Sequence, residues 1–338
     1  MSAPREGRDG TSQVVPRRGD ETARQAMATM YDQSEQWAHI TSTLITPEVA
    51  ADLSSFRSSS PNFKIALWDP GTNGVRYLKD LVYNLGLQLT DRQRARLRRI
   101  RHRQVGDPIT VRCHGELLCM DYLQALYELD CLDHVAGLPG GRVLEIGAGY
   151  GRTCHALMSN HDLAGYTIID LPNTLELSRA YLKAVLEPQQ YARITFLTNE
   201  QALTLPEQMR FDLCININSF GEMPATTVTN YLRLIAQRCE YFYTKNQTGK
   251  YMDKRLDGHA QGDEVVAKAL SSGLLRDILD IYDSGAVEAS SQKYVDAMRP
   301  GQEWTCVVDS WARPWSFYWQ ALYHRDLSAG EPVRMPHP

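Results

Sequence analysis

The residues of this chain whose types and spacing could most directly do chemistry are Glu145, Gly147, Gly149, Gly151, Asp170 and Glu222. Residues 143–151 read Val-Leu-Glu-Ile-Gly-Ala-Gly-Tyr-Gly, an apolar run closing into a glycine-rich turn, with an acid two places before the first glycine. Glycines at these positions let the backbone turn tightly and approach a ligand with no Cβ in the way. A dinucleotide fingerprint needs G-x-G-x-x-G, but Arg152 occupies the completing position, so the spacing is E-x-G-x-G-x-G and the slot for a pyrophosphate is lost. Asp170 closes the next β-rich run, and a carboxylate at such a strand tip can accept both hydroxyls of a ribose. Its alternative is a helix cap ahead of Pro172. Glu222 follows another strand-like run, where it could take a proton from a neutral acceptor or clamp a cationic one. Its alternative is an acid at the N-terminus of a helix starting near Pro224, favoured there by the helix dipole.

The elements that must position these residues follow from apolar patterning. Strands are expected over 143–146, 166–169, 193–197, 211–217 and 241–244, with two more inside the aromatic segment 304–323. Helical patterns over 152–158, 173–185 and 226–239 lie between them, and this alternation predicts a doubly wound α/β sheet. Residues 1–20, rich in Arg, Gly, Ser, Thr and Pro, read as a disordered leader. Residues 21–138 read as a helical cap and acceptor-binding region, with helices over 77–85, 91–104 and 117–132 and a strand-like stretch at 109–112. The main domain spans 139–330. After the fifth strand a polar loop over 245–263 leads into a helix to about residue 279.

The glycine loop together with Asp170 resembles motif I of the class I S-adenosylmethionine-dependent methyltransferases. Asn-Ser-Phe-Gly-Glu-Met at 218–223, Ile-Ile-Asp-Leu-Pro at 168–172, Tyr-Phe-Tyr-Thr at 241–244 and the stretch 121–127 resemble the bacterial sugar O-methyltransferase family, over roughly residues 60–325. The resemblance implies a Rossmann-like, mostly parallel seven-stranded sheet with helices on both faces and S-adenosyl-L-methionine as co-substrate. It implies a small polar acceptor, with a sugar hydroxyl leading and specialised-metabolite biosynthesis as the setting. A guanidino or amino nitrogen of an arginine-like molecule is the alternative acceptor. A nicotinamide oxidoreductase and a non-catalytic binding module of the same fold are the other rivals. Intact Gly147, Gly149, Gly151 and Asp170 speak against the binding module. The implied cofactor residues are Glu145, Gly147, Ala148, Gly149, Gly151, Asp170, Leu171, Asn199 and Asn218. Glu222 and His259 are the candidate bases. Tyr243, Trp311 and Trp315 are candidate acceptor contacts, the two tryptophans because they flank Arg313-Pro314 in a loop.

Composition narrows the partners. A net charge of −4 over 338 residues gives no general attraction for nucleic acid or membrane. No stretch reaches the ~20 apolar residues of a spanning helix, and the first residues lack an apolar export core, so the cytoplasm is expected. The seven cysteines include no C-x-x-C pair and are expected to be reduced. A homodimer is compatible with the chain. Seven arginines between Arg92 and Arg103 could bind phosphates, yet they surround the helix rather than forming one stripe. The Asn/Asp-Pro-Pro-aromatic turn common in enzymes that methylate base amino groups is replaced by Asn218-Ser219-Phe220-Gly221. Asp253, Asp257 and His259 could ligate a divalent ion, but such spacing is common in polar loops and no metal is expected. Cys113, His114 and Cys119 lack paired zinc spacing.

Overall fold

A computed structural model describes residues 34–52, 54, 59–202, 205–251 and 263–326. The chain divides into two compact units, Met1–Tyr77 and Leu78–Pro338. The described part of the first unit is short helices: α1 (Glu35–Thr43), α2 (Pro47–Ala51), α3 (Ser60–Ile65) and the start of α4 (Pro70–Leu87). Ser34 caps α1 by accepting the Trp37 amide, and the Trp68 ring takes Tyr77 edge-on at 5.8 Å and the Arg76 guanidinium at 4.5 Å.

The second unit continues with α5 (Asp91–Arg99), the hairpin β1 (Val111–Cys113) and β2 (Glu116–Leu118), and α6 (Met120–Leu132). Then come β3 (Arg142–Ile146), α7 (Arg152–Asn160), β4 (Gly165–Asp170), α8 (Pro172–Val185), α9 (Pro188–Tyr191), β5 (Ile194–Thr198) and α10 (Asn199–Ala202). The rest is β6 (Phe211–Ile217), a 3-10 turn (Ser219–Gly221), α11 (Ala225–Arg238), β7 (Cys239–Gln247), α12 (Asp263–Ser271), α13 (Ser284–Met298), β8 (Trp304–Trp311) and β9 (Tyr318–Arg325).

The seven large-sheet strands run in the order β5-β4-β3-β6-β7-β9-β8, all parallel except β9, which lies antiparallel to both its neighbours. Central strands buried on both faces must be apolar on both, and β3 shows how the faces divide. Val143 packs with Leu126, Leu157, Leu182 and Leu213 on one side, while Leu144 and Ile146 pack with Phe220, Ile235, Phe242 and Tyr294 on the other. Each fully buried side chain of this size stabilises by ~1.5–3 kcal/mol.

Several boundaries differ from the sequence expectation. The helix expected from 117 begins at Met120, because His114 (φ 47°) and Gly115 (φ 83°) make a two-residue hairpin turn that turns 111–118 into β1 and β2. The helix expected to 104 ends at Arg99, and the one expected to 279 ends at Ser271. α13 carries a run of small and polar residues and has no counterpart in the sequence reading, but Val287, Tyr294, Val295 and Met298 put one face into the core. The expected division at residue 138 does not separate two bodies, since Val82, Leu97 and Leu126 share one core with Val143 and Leu213. The expected leader at 1–20 lies outside the described residues.

Candidate active site

Sheet order reverses between β3 and β6, and the carboxyl ends of strands at such a point leave a crevice. A cleft of about 710 Å³ opens there, a size typical of small-molecule sites. Its floor is the loop after β3. Gly147 sits at φ 75°, its amide donating to the Ile169 carbonyl at 2.9 Å, and an added Cβ would lie 2.2 Å from Ser219 Oγ. Gly149, at φ 58°, differs: a Cβ there would meet nothing within 4 Å, because that direction opens into the cleft. The loop thus packs tightly against the protein at Gly147 and presents bare backbone at Gly149.

Asp170 holds this loop. Its Oδ2 accepts the Gly149 amide at 2.9 Å and its Oδ1 the Leu171 amide at 2.7 Å. Burial raises its pKa, and these backbone donors oppose the rise. Glu145 lies deeper, 2% exposed, with Tyr166 donating to Oε2 at 2.7 Å. Burial pushes its carboxyl up to about 7, against the hydrogen bond from Tyr166.

The opposite wall is the turn after β6. Asn218 takes φ 65°, which an Asn tolerates better than most residues, and its side chain is fully engaged. Its Oδ1 accepts Tyr318 Oη at 2.6 Å and Gln247 Nε2 at 3.0 Å, and its Nδ2 donates to Glu222 Oε1 at 3.2 Å. Beneath it Asn216 donates to the Ile146 carbonyl at 3.0 Å and to Ser219 Oγ at 2.6 Å, tying this turn to the glycine loop. Glu222 is exposed at the end of the 3-10 turn, not at a helix N-terminus, since α11 begins three residues later behind Pro224.

A buried charge cluster backs the loop. Glu128 on α6 accepts Arg152 Nη1 and Nη2 at 2.7 and 2.9 Å and Lys245 Nζ at 2.6 Å. Burial opposes ionisation of Glu128, yet Arg152 and Lys245 outweigh it and hold its pKa at about 2. Burial lowers that of Lys245, which is 2% exposed. Tyr150 Oη donates to Asp121 Oδ2 at 3.0 Å, a second tie between loop and α6.

The structure brings Glu145, Gly147, Ala148, Gly149, Asp170, Leu171, Asn199, Asn218 and Glu222 together on the cleft. Gly151 instead supports it from behind at φ 94°, its Cβ direction 2.8 Å from Leu182. Tyr243 does not reach the cleft. It is fully buried with its hydroxyl donating to Gln320 at 2.8 Å, because alternation along β7 turns it into the core beneath α6. Trp311 and Trp315 also lie off the cleft lining. Trp311 Nε1 donates to the Trp315 carbonyl at 3.2 Å, and Trp315 Nε1 to Gln124 Oε1 at 3.0 Å. His259, with Asp253 and Asp257, lies outside the described residues. No group of three or more candidate metal ligands occurs among the described residues. The sequence reading missed Tyr150, Arg152, Thr174, Met223 and Thr227 on the cleft and Tyr318 and Gln247 as anchors of Asn218. Thr174 and Thr227 were findable as polar residues in the first turns of helices following β-strands.

The arginine-rich segment is largely engaged within the fold. Arg96 is buried and pairs with Asp130 at 2.6 Å and with Asp133, Arg92 also pairs with Asp133, and Arg103 pairs with Glu116 at 2.6 Å. Among the described residues no helix is long and apolar enough to cross a membrane, and all seven cysteines are free.

A seven-stranded sheet in this order, its only antiparallel strand inserted next to last, with a glycine-rich loop after the first strand, is the class I methyltransferase fold. No protein-family model matches the sequence, and no curated protein matches it. Among solved structures, the chain is similar to the methyltransferase domain of bacterial CtHen1, at 13% identity over 60% of this chain and 97% of that one, with a TM-score of 0.40. It is similar to the mitomycin 7-O-methyltransferase MmcR at 13% identity, over 61% of this chain and 56% of that one, TM-score 0.38. The glycopeptide N-methyltransferase MtfA, complexed with (S)-adenosyl-L-methionine, gives 12%, 60% and 86%, TM-score 0.38. The fold assignment rests on the strand order, and the substrate each of those names carries belongs to that protein.

Proposed function

We propose that the chain is an S-adenosyl-L-methionine-dependent methyltransferase acting on a small polar acceptor, with a sugar hydroxyl as the leading acceptor. The observation that carries this reading is the cleft at the switch point, where bare backbone at Gly149 and the Asp170 carboxylate face the Asn218–Glu222 turn. The residues fit the cofactor: Gly149 leaves the room a Cβ would fill, Asp170 stands at the strand tip for ribose hydroxyls, and Asn199 and Leu171 flank it for the base. When bound, S-adenosyl-L-methionine supplies an electrophilic methyl on a sulfonium centre. The chain's task is then to align the acceptor with that methyl and to receive its proton. Glu222 has Oε1 held by Asn218 and leaves Oε2 to take a proton from a hydroxyl or to pair with a cationic nitrogen. That exposed carboxylate is the reason to keep the guanidino or amino acceptor as a second reading. Calorimetry with S-adenosylhomocysteine, beside an absorbance titration with NADH, tests the cofactor; tight binding of NADH alone would overturn the reading. Purified protein with labelled cofactor, offered sugars, nucleotide sugars, amino acids and guanidines, tests the acceptor.

A further inference from the structure

A second cavity of about 420 Å³ lies between α6 and the β8–β9 hairpin and shares no lining residue with the cofactor cleft. Its chemistry emerges from what the protein leaves unused. Asp130, the cavity's carboxylate, is spent on Gln93 Nε2 and Arg96 Nη1, each at 2.6 Å. Gln320 is spent on Tyr243 and, at 3.0 Å, on Ser310. Arg313 and the Tyr127 hydroxyl have no hydrogen-bond or ion-pair partner among the described residues, and both are donors. The rings of Tyr127 and Trp311 are half-buried in the wall, and the Trp311 indole is oriented by its bond to the Trp315 carbonyl. With Asp130 already paired to Arg96, the unpaired Arg313 cation, the free Tyr127 hydroxyl and two flat apolar faces favour a ring that carries negative charge.

We propose that this cavity binds an anionic, ring-bearing small molecule through a carboxylate or phosphate group on Arg313 and Tyr127, with its ring against Trp311. The proposal is independent of the methyl-transfer reading, which concerns the other cleft. The test is calorimetric titration of the full chain with glucose 6-phosphate and with glucuronate, glucose serving as the neutral control. At least one of the two anions is expected to bind with a Kd below about 10 mM, and glucose more weakly. Whichever anion binds identifies the group recognised. Arg313→Gln is expected to weaken that binding roughly tenfold or more, as removal of a charge-assisted bond does, while S-adenosylhomocysteine affinity stays unchanged. If Arg313→Gln proves misfolded by its melting curve, Tyr127→Phe carries the test, with an expected loss of roughly three- to tenfold. Equal binding of glucose, absence of binding by both anions, or an affinity unmoved by the folded variant overturns the proposal.

Discussion

Asp170 both shapes the glycine loop and lines the candidate cleft, two placements that a sequence cannot separate. Its oxygens already receive the Gly149 and Leu171 amides, so Asp170→Ala frees the loop and removes the proposed ribose acceptor together. S-adenosylhomocysteine binding should weaken by about 1–3 kcal/mol, roughly five- to 150-fold, in calorimetry. Glu222 separates the acceptor classes. With a neutral hydroxyl acceptor, Glu222→Gln should mainly lower kcat, with partial recovery at higher pH; with a cationic acceptor, KM and kcat should both suffer. Unchanged kinetics across pH would remove it from the mechanism. Glu145 gives a stability signature. Its folded pKa of about 7 lies above the ordinary 4.5, so between those values the folded state keeps a proton that the unfolded chain has lost. Stability therefore falls as pH rises through that window and levels off above it. Glu145→Gln, which still accepts from Tyr166, should flatten this slope in melting temperatures measured from pH 4.5 to 8. These residues were legible because a tight glycine turn and strand-tip acids leave local marks. Tyr243 was misplaced because knowing that a strand exists does not say which face meets which layer.

At the scale of elements, the buried pairing of Glu128 with Arg152 and Lys245 joins α6 to the first turn of α7 and to β7. Glu128→Ala would strand two cations in the interior, and the expected loss is about 3–5 kcal/mol in chemical denaturation. An effect below ~1 kcal/mol would show that water reaches the site. The same cluster explains why β7 was read too short. Lys245, Asn246 and Gln247 look like the start of a polar loop, yet they continue the strand, Lys245 and Asn246 fully buried and all three hydrogen-bonded to side chains distant in sequence. Polar residues that satisfy one another in the interior have no periodic signature. The five parallel strands were legible for the converse reason, as apolar runs at the spacing of βαβ units.

At the scale of the molecule, every residue lining the candidate cleft lies in the Leu78–Pro338 unit, whose core already includes Val82, Leu89 and Leu97. A chain beginning at Pro70, which keeps α4 whole, should melt cooperatively and bind S-adenosylhomocysteine within about threefold of the full chain. Loss of cooperative melting would show that the first unit is required for the fold. The division at Tyr77 escaped the sequence because helices before and after it carry similar patterns, and only shared packing assigns 78–138 to the sheet.

Tyr318 and Gln247 brace Asn218 from β9 and from the end of β7, while Gly147, Gly149 and Asp170 answer to β3 and β4. The two walls of the cleft are therefore held by different stretches of the chain. They remain coupled, because Asn216 bonds the Ile146 carbonyl and Ser219 Oγ and so links the braced turn to the glycine loop. One wall thus rests on central strands closed in by neighbours on both sides and the other on the antiparallel end of the sheet, so sequence divergence is expected to gather at that end before it reaches the glycine loop.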